Sequence, residues 1–595
     1  MFALQKIFAL LLSITLGISG CTTASNATKI NQMAIGVLGE PSTFNPVLNN
    51  VATAFFEYTS EGLVGTNGKG EIEPALAESW QIEGNTITFT MRPNLKWSDG
   101  APLTADDVAF SFNEVYLNPK IPNNAQDSLK IGKAEKFPTI KKIDDLHIAI
   151  TTPEPFAPAL RTIGGQGIVP AHKLRALINA TEKYKEREEY KDKSGKTQVK
   201  EVNKERPKFM GAWGINTKPA ELVSSGMYRL ISYTPGERLI FERNPHYWRK
   251  DEQGRQLPYI DRMVWQITES TDNTLMQFRS GNIDTYGVGP EFFSLLKKEE
   301  KKGDFTITNA GPSSGTTFLA FNLNKGSRDG KPLVDPVKSR WFNNVKFRQA
   351  VAYAVDRKRM INNLYRGLGE VQNSPISFGT PYYLKEGLKS YDYDLAKSKQ
   401  LLQEAGFKYK GASLFDDQDN AVNFNLITNS GNKIREALGT QVQQDLEKLG
   451  MKVNFNAVAF PLLVDKLDKA LDWDAHIIGF TGGVEPQDGA NFWLTEARSH
   501  VFNQKPSKEE KQLTGQEVAP WEKEINDLYV KGSQELDEAK RREIYYQTQR
   551  ITQENLPCIY LVNSLSLLAA RNKIQGLQPT NLGSLWNLYK VSITQ

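Results

Sequence analysis

Only two cysteines, Cys21 and Cys558, occur in the 595 residues, which excludes a scaffold built on disulfides. Histidine is almost as scarce. His147, His172, His246, His476 and His500 stand far apart, and neither His-Glu-x-x-His nor Cys-x-x-Cys occurs, so no zinc-ligand spacing is present. Charge of one sign is also missing. The 73 Lys and Arg face 68 Asp and Glu, the formal net charge is +5, and the signs interleave, which argues against a nucleic-acid stripe. No apolar run is long enough to span a bilayer comfortably: residues 8–18 are too few, and residues 561–570 are broken by Asn563, Ser564 and Ser566. A phosphate loop is excluded as well. Gly195-Lys196-Thr197 mimics half of one, but Tyr190 stands where its first glycine belongs. The neighbouring acids Asp106/Asp107 and Asp144/Asp145 suit capping and turns better than acid–base work. Nothing in the chain points to a catalytic constellation, a metal or a cofactor.

What is present begins with secretion. Lys6 precedes the apolar run 8–18, which fits a signal h-region. Ile18-Ser19-Gly20-Cys21 resembles a bacterial lipobox, in which the cysteine carries the lipid. Residues 1–20 then read as a lipoprotein signal peptide and 21–31 as a small polar tether. With Cys21 lipidated, Cys558 has no disulfide partner, and its apolar strand-like setting predicts a buried, inert thiol. The expected location is periplasmic or cell-surface, held at the membrane by several acyl chains.

About 575 residues remain after the signal peptide, too many for one core. Ile87, Phe89 and Met91 alternate with polar residues as in a half-buried strand. Ser98-Asp99-Gly100 is turn chemistry, and Thr104 with Asp107 forms a capping box before the helical repeat Val108, Phe112, Val115. Farther on, a helix is expected from Ala52 to Gly62, and strand, helix and strand over 424–428, 433–449 and 451–455 imply a parallel pair. In residues 181–206 about sixteen of twenty-six positions are charged with no apolar period. That reads as a solvated insertion, partly helical or disordered. Gly311-Pro312-Ser313-Ser314-Gly315 fits the pattern of a nucleophile elbow, but an elbow needs a helix next, and residues 316–322 read as a strand. Small residues there suit a crossover between lobes.

The run from Phe89 to Phe112, with Trp97-Ser98-Asp99-Gly100 at its centre, resembles the signature of the bacterial extracytoplasmic solute-binding proteins of family 5, the dipeptide, oligopeptide and nickel group. Other blocks agree in order: Glu40-Pro41, Glu61-Gly62-Leu63, Arg243-Asn244-Pro245-His246-Tyr247-Trp248, and Val345 to Arg357 around Arg348-Gln349-Ala350. The resemblance runs from about Met33 to the C-terminus. It implies an α/β, two-lobed periplasmic-binding-protein-like fold with an extra subdomain, mixed sheets flanked by helices, and a hinged central cleft. The expected division is a first lobe of residues 32–72, 222–310 and 541–595, an extra subdomain of 73–221, and a second lobe of 311–540.

The function that the resemblance implies is the substrate-binding lipoprotein of an ABC importer, taking peptides or a related small solute to permease and ATPase subunits. A monomer without nucleic-acid partners is expected. A signalling receptor on the same fold is the alternative, and a secreted hydrolase has only the Gly311–Gly315 pattern behind it. In the family, ligand contacts come from a first-lobe loop, here Asn49, Asn50 and Ala52. They also come from the end of a second-lobe strand and the loop after it, here Gly479, Phe480, Thr481, Glu485 and Asp488. Phe480 replaces the usual Trp. Gly482-Gly483 stand where peptide-binding relatives carry an aspartate for the ligand's amino group, so Glu485 or Asp488 must supply that charge, or the ligand has no free amine. Expressed in a bacterial host, the protein should fractionate with membranes and Cys21→Ser should not. Equal partitioning of the two in detergent phase separation would refute the anchor.

Overall fold

The alternation at Ile87, Phe89 and Met91 becomes a strand whose three apolar side chains are buried. The computed structural model describes residues 30–49, 55–191, 197–497, 499–506 and 510–594; Cys21, Asn50 and Ala52 lie outside them, as does most of the expected helix start after Ala52. The described part of that helix is short, Phe55–Thr59. Strand Thr86–Met91 lies between Ala77–Glu83 and His147–Thr151, with Thr139–Lys142 at the edge. The capping box forms as expected. Asp107 Oδ2 accepts from the Thr104 N–H at 3.0 Å, and Thr104 Oγ1 accepts from the Asp106 N–H. Asp107 also takes the Ala171 N–H on its other oxygen, so this acid is spent on backbone.

Eight strands make the sheet of the first lobe. In order they are Tyr228–Thr234, Arg238–Arg243, Arg262–Thr268, Gln32–Leu38, Thr285–Gly287, Val562–Arg571 and Phe305–Pro312, with Gly369–Val371 paired to the start of Val562–Arg571. Gln32–Leu38 runs parallel to both its neighbours. Two family-like blocks meet beside this sheet: Tyr247 Oη and Trp248 Nε1 donate to the two oxygens of Glu61 at 2.5 and 2.6 Å. Arg92 lies 3.9 Å over the Trp248 ring, which keeps a positive charge near that buried carboxylate.

Five strands make the second sheet, in the order Lys452–Val458, Asn423–Asn429, Ala475–Phe480, Thr316–Phe321 and Cys558–Tyr560. The unit around helix Lys433–Glu447 is parallel as expected, and Asn432 caps the helix.

Two expectations need correction. The chain does not return to the first lobe at residue 541. Helix Glu538–Asn555 and strand Cys558–Tyr560 pack in the second core through Tyr545, Leu556, Cys558 and Ile559, and the first-lobe strand begins only at Val562. The charged insertion is neither helical nor loose: Thr181–Lys191 and Thr197–Pro207 form an antiparallel hairpin. Its interleaved signs fall opposite one another near the base of the hairpin, Glu182 facing Arg206 and Lys183 facing Glu205, a favourable arrangement on an open ribbon. Cys558 is buried and free, and burial pushes its thiol well up, which keeps it inert.

Two segments carry the chain between the sheets. Phe305–Pro312 passes into Thr316–Phe321, and Cys558–Tyr560 passes back into Val562–Arg571. Gly311 takes φ +90°, where a side chain would be strained. A strand, not a helix, follows Ser313, so the elbow geometry is absent.

Arg348, from the Arg-Gln-Ala block, explains one family feature. It is buried, and it donates to the carbonyls of Phe342, Asn555 and Leu556, holding the end of helix Glu538–Asn555 where Leu556 turns left-handed. Arg348→Met should leave these acceptors unpaired and lower stability by about 3 kcal/mol. Urea unfolding reads this out, and a midpoint unchanged from wild type would contradict it.

Candidate functional site

Strand Ala475–Phe480 pairs antiparallel with Thr316–Phe321 and stops at the aromatic ring of Phe480. Beyond it the chain turns through Thr481-Gly482-Gly483, and Glu485 caps a short 3-10 turn, Pro486–Gly489. These residues form one wall of a cavity of about 240 Å³. Phe318, Phe480 and Phe492 pack mutually at 5.6 Å between centroids and form its apolar floor. Tyr382, Tyr529 and Tyr560 complete the sides. Large rings interleaved with polar side chains such as Thr316, Ser377, Thr380 and Asn491 suit enclosure of a small solute.

The two glycines are there for space. A Cβ on Gly482 would lie 2.0 Å from the carbonyl oxygen of Ser314, so the loop rests directly on the crossover backbone. A Cβ on Gly483 would lie 2.1 Å from Asp488 Oδ2. The Asp488 carboxylate thus lies where a Cβ at 483 would stand, and a side chain there would require it to turn away.

The two nearby acids have different fates. Glu485 is held by Arg541. Nη1 donates to Oε2 at 3.0 Å, Nη2 donates to Oε1, and Nη1 also reaches the Tyr382 hydroxyl at 2.7 Å. Nε donates to the Gly532 carbonyl at 2.9 Å. Both partners are buried, at 5% and 9% side-chain exposure, and the carboxylate keeps the Arg541 pKa above the ordinary arginine value against the cost of burial. Asp488 opens onto the cavity and has no ion pair of this kind among the described residues. Asp488 is itself solvent-exposed at the cavity mouth, and the protein packed beside it, followed by the Glu485 charge, pushes its pKa up to about 6; Arg161 and the Glu485 backbone offset this only in part.

Of the residues expected from sequence, Phe480, Thr481, Glu485 and Asp488 come together on this wall. Gly479 sits one step back in the ladder, opposite Thr317. Asn49 is half-buried on the other lobe and is not among the residues lining the cavity. Arg541, Tyr382, Ser377 and Tyr529 were not anticipated. Arg541 lies on a helix 56 positions from Glu485, and no spacing rule connects the two. His476 is fully buried, in contact with the Trp473 and Phe318 rings, and desolvation lowers its pKa to about 3. His500 contacts the Phe492 carbonyl and Glu522. Among the described residues no group of three or more His, Cys, Asp or Glu could hold a metal ion, and no helix is long and apolar enough to cross a membrane.

The family described as bacterial extracellular solute-binding proteins, family 5 Middle, matches residues 71–500. A probable ABC transporter-binding protein of Deinococcus radiodurans is 29% identical over 562 residues, covering 90% of this chain and 87% of that one. The periplasmic alpha-galactoside-binding protein of Rhizobium meliloti is 26% identical, over 85% of this chain and 71% of its own length. Among solved structures, the oligopeptide-binding protein AppA of Bacillus subtilis in complex with a nonapeptide superposes with TM-score 0.75 at 21% identity, covering 95% of this chain and 99% of that one. MelB of Agrobacterium fabrum in complex with stachyose gives 0.76 at 21% identity, covering 95% and 85%. These similarities establish a shared two-lobed fold.

Removing one partner of the buried pair should be costly. Arg541→Met leaves Glu485 charged, buried and unpaired, and should lower stability by about 3–5 kcal/mol. Arg541→Met together with Glu485→Met should recover most of the loss. Denaturant unfolding of wild type, Arg541→Met, Glu485→Met and the double variant gives the coupling, and strictly additive losses would show that the pair is not the determinant.

Proposed function

Because the chain belongs to the bacterial extracellular solute-binding proteins of family 5, which are substrate-binding proteins and not enzymes, we propose that it captures a small solute carrying a cationic group, a short peptide first of all, in the cavity at residues 480–488 and presents it to the permease of an ABC importer. The observation that carries this reading is Asp488. Glu485 is neutralised by Arg541, so Asp488 is the acid left on that wall for a ligand. An ammonium about 4 Å away would gain roughly 4 kcal/mol at an effective dielectric near 20, before the desolvation of both ions is subtracted. With glycine at 483 the Asp488 carboxylate lies against that position, and in this reading it supplies from the turn the charge that the peptide-binding pattern carries at the strand end.

Size narrows the ligand further. A cavity of about 240 Å³ holds a small solute, not an extended nonapeptide of the kind in the AppA complex. Similar proteins are named for oligopeptides, for D,D-dipeptides and for alpha-galactosides, so neutral sugars are the competing class. A sugar uses the rings but leaves the Asp488 charge without a counter-ion. Anchoring at the membrane through Cys21 belongs to the same proposal, and delivery to permease and ATPase subunits rests on the family.

The test is a thermal-shift screen of short peptides with free and with acetylated N-termini, alongside stachyose. Peptides with a free terminus should raise the melting temperature, and acetylation or Asp488→Asn should remove most of that rise. Binding needs the carboxylate ionised. Affinity should therefore be full above pH about 6 and fall toward tenfold per unit below it, whereas Asp488→Asn should show no such fall. In the ligand-free protein the sign is opposite: a carboxyl with a raised pKa is penalised when charged, so stability from this group increases as pH drops through 6. Equal shifts with acetylated peptides, or a shift with stachyose alone, would end the cationic reading.

A further inference from the structure

The cavity is built on the crossover between the lobes. Ser314 and Thr316, which belong to the first crossing, line it. The loop on the opposite wall lies against the same backbone: besides the close approach of Gly482 to Ser314, a Cβ on Gly315 would lie 2.7 Å from the Phe480 carbonyl oxygen. A third wall comes from residues 375–380, and it too is tied to the crossing, because Ser377 Oγ donates to the carbonyl of Ser313.

One residue off the cavity wall joins these parts. Asn563 stands just past the return crossing and is 2% exposed. Its Nδ2 donates to the carbonyl of Ser313 at 3.0 Å and to that of Gly315 at 3.1 Å, and lies 3.4 Å from Ser377 Oγ. Backbone bonds flank the same spot: the Ser313 N–H donates to Ser564 at 2.8 Å and the Leu561 N–H to Thr317 at 3.0 Å. Residues 313–315 and Leu561 are the only positions between strands on the two crossings, so any change of angle between the lobes is absorbed there. Two carbonyls two residues apart converge on one amide, and a changed twist in that short segment separates them. Elsewhere the two sides of the cleft touch directly, the Ala157 N–H donating to Ser533 at 2.7 Å and Lys433 lying 3.5 Å from Asp272.

We infer that Asn563 is a positioning residue that ties the Ser377 wall to both crossings and so biases the lobes toward the compact arrangement in which the cavity is complete. Solute held between the 375–380 wall, Ser314 and Phe480 fixes the crossover twist that Asn563 accepts, and that twist is the closed one. This rests on the reading that the cavity holds the solute, and it adds how occupancy reaches the lobes.

The experiment is small-angle scattering of the full chain, free and with tri-alanine, for wild type, Asn563→Ala and Asn563→Asp. The aspartate keeps the size and loses the donors, and it serves if the alanine variant does not fold; Ser377→Ala, which removes one link, serves if neither does. The free variants should have a larger radius of gyration than free wild type. Tri-alanine should restore compactness at roughly tenfold weaker affinity, because less of the population is competent to bind. An unchanged radius in the free variants would overturn the inference, whatever happens to affinity or melting temperature, since a packing role alone moves those. If tri-alanine binds none of the proteins, the proposed solute class fails, and the free radii still decide the role of Asn563.

Discussion

A guanidinium withdrawn from water must find acceptors for its N–H groups, and the site depends on Arg541 finding a carboxylate among them. It takes both oxygens of Glu485, the Tyr382 hydroxyl and the Gly532 carbonyl. The pair fastens the 485–489 turn to helix Glu538–Asn555. With Glu485 consumed, the turn presents Asp488 to the cavity as its free charge. Two acids three residues apart thus differ: Glu485 is buried and paired with Arg541, and Asp488 stays exposed on the cavity wall.

Space is divided in the same way. Gly482 lets the loop touch the backbone of Ser314, and Gly483 gives its side-chain volume to Asp488. A larger residue at either place would lift the loop from the crossover and separate the aromatic floor from the hinge. The apolar rings at Phe318, Phe480 and Phe492 come from three separated stretches, and the sheet and the short helix at Ala490–Trp493 bring them into mutual contact.

Local chemistry was readable where a period or a cap encodes it. The buried alternation at Ile87, Phe89 and Met91, the capping box of Thr104 and Asp107, and the parallel unit around Lys433–Glu447 follow from neighbours in sequence. What was not readable depends on pairings across long separations. The boundary placed at residue 541 moved to 562, because Tyr545 and Cys558 find their partners in the second core. The insertion at 181–207 looked patternless until its signs were paired across two strands, and the match of Glu182 with Arg206 and Lys183 with Glu205 was the available signal. At the site, both Glu485 and Asp488 were visible as acids. Nothing nearby in sequence tells that Arg541 takes the first and leaves the second. The resemblance implied a charge in this stretch; the fold shows which of the two acids is already paired.

The return strand Val562–Arg571 has a consequence for the order in which the molecule can be made. It lies inside the first-lobe sheet, between Thr285–Gly287 and Phe305–Pro312, yet it is among the last segments to be synthesised. Until it arrives, the two strands that flank it have no common neighbour, and each presents an unsatisfied ladder. The first lobe therefore remains unfinished while nearly the whole chain already exists. Such late, long-range closure slows folding, and an export-destined polypeptide gains from it a period in which it can still be threaded across a membrane as an open chain.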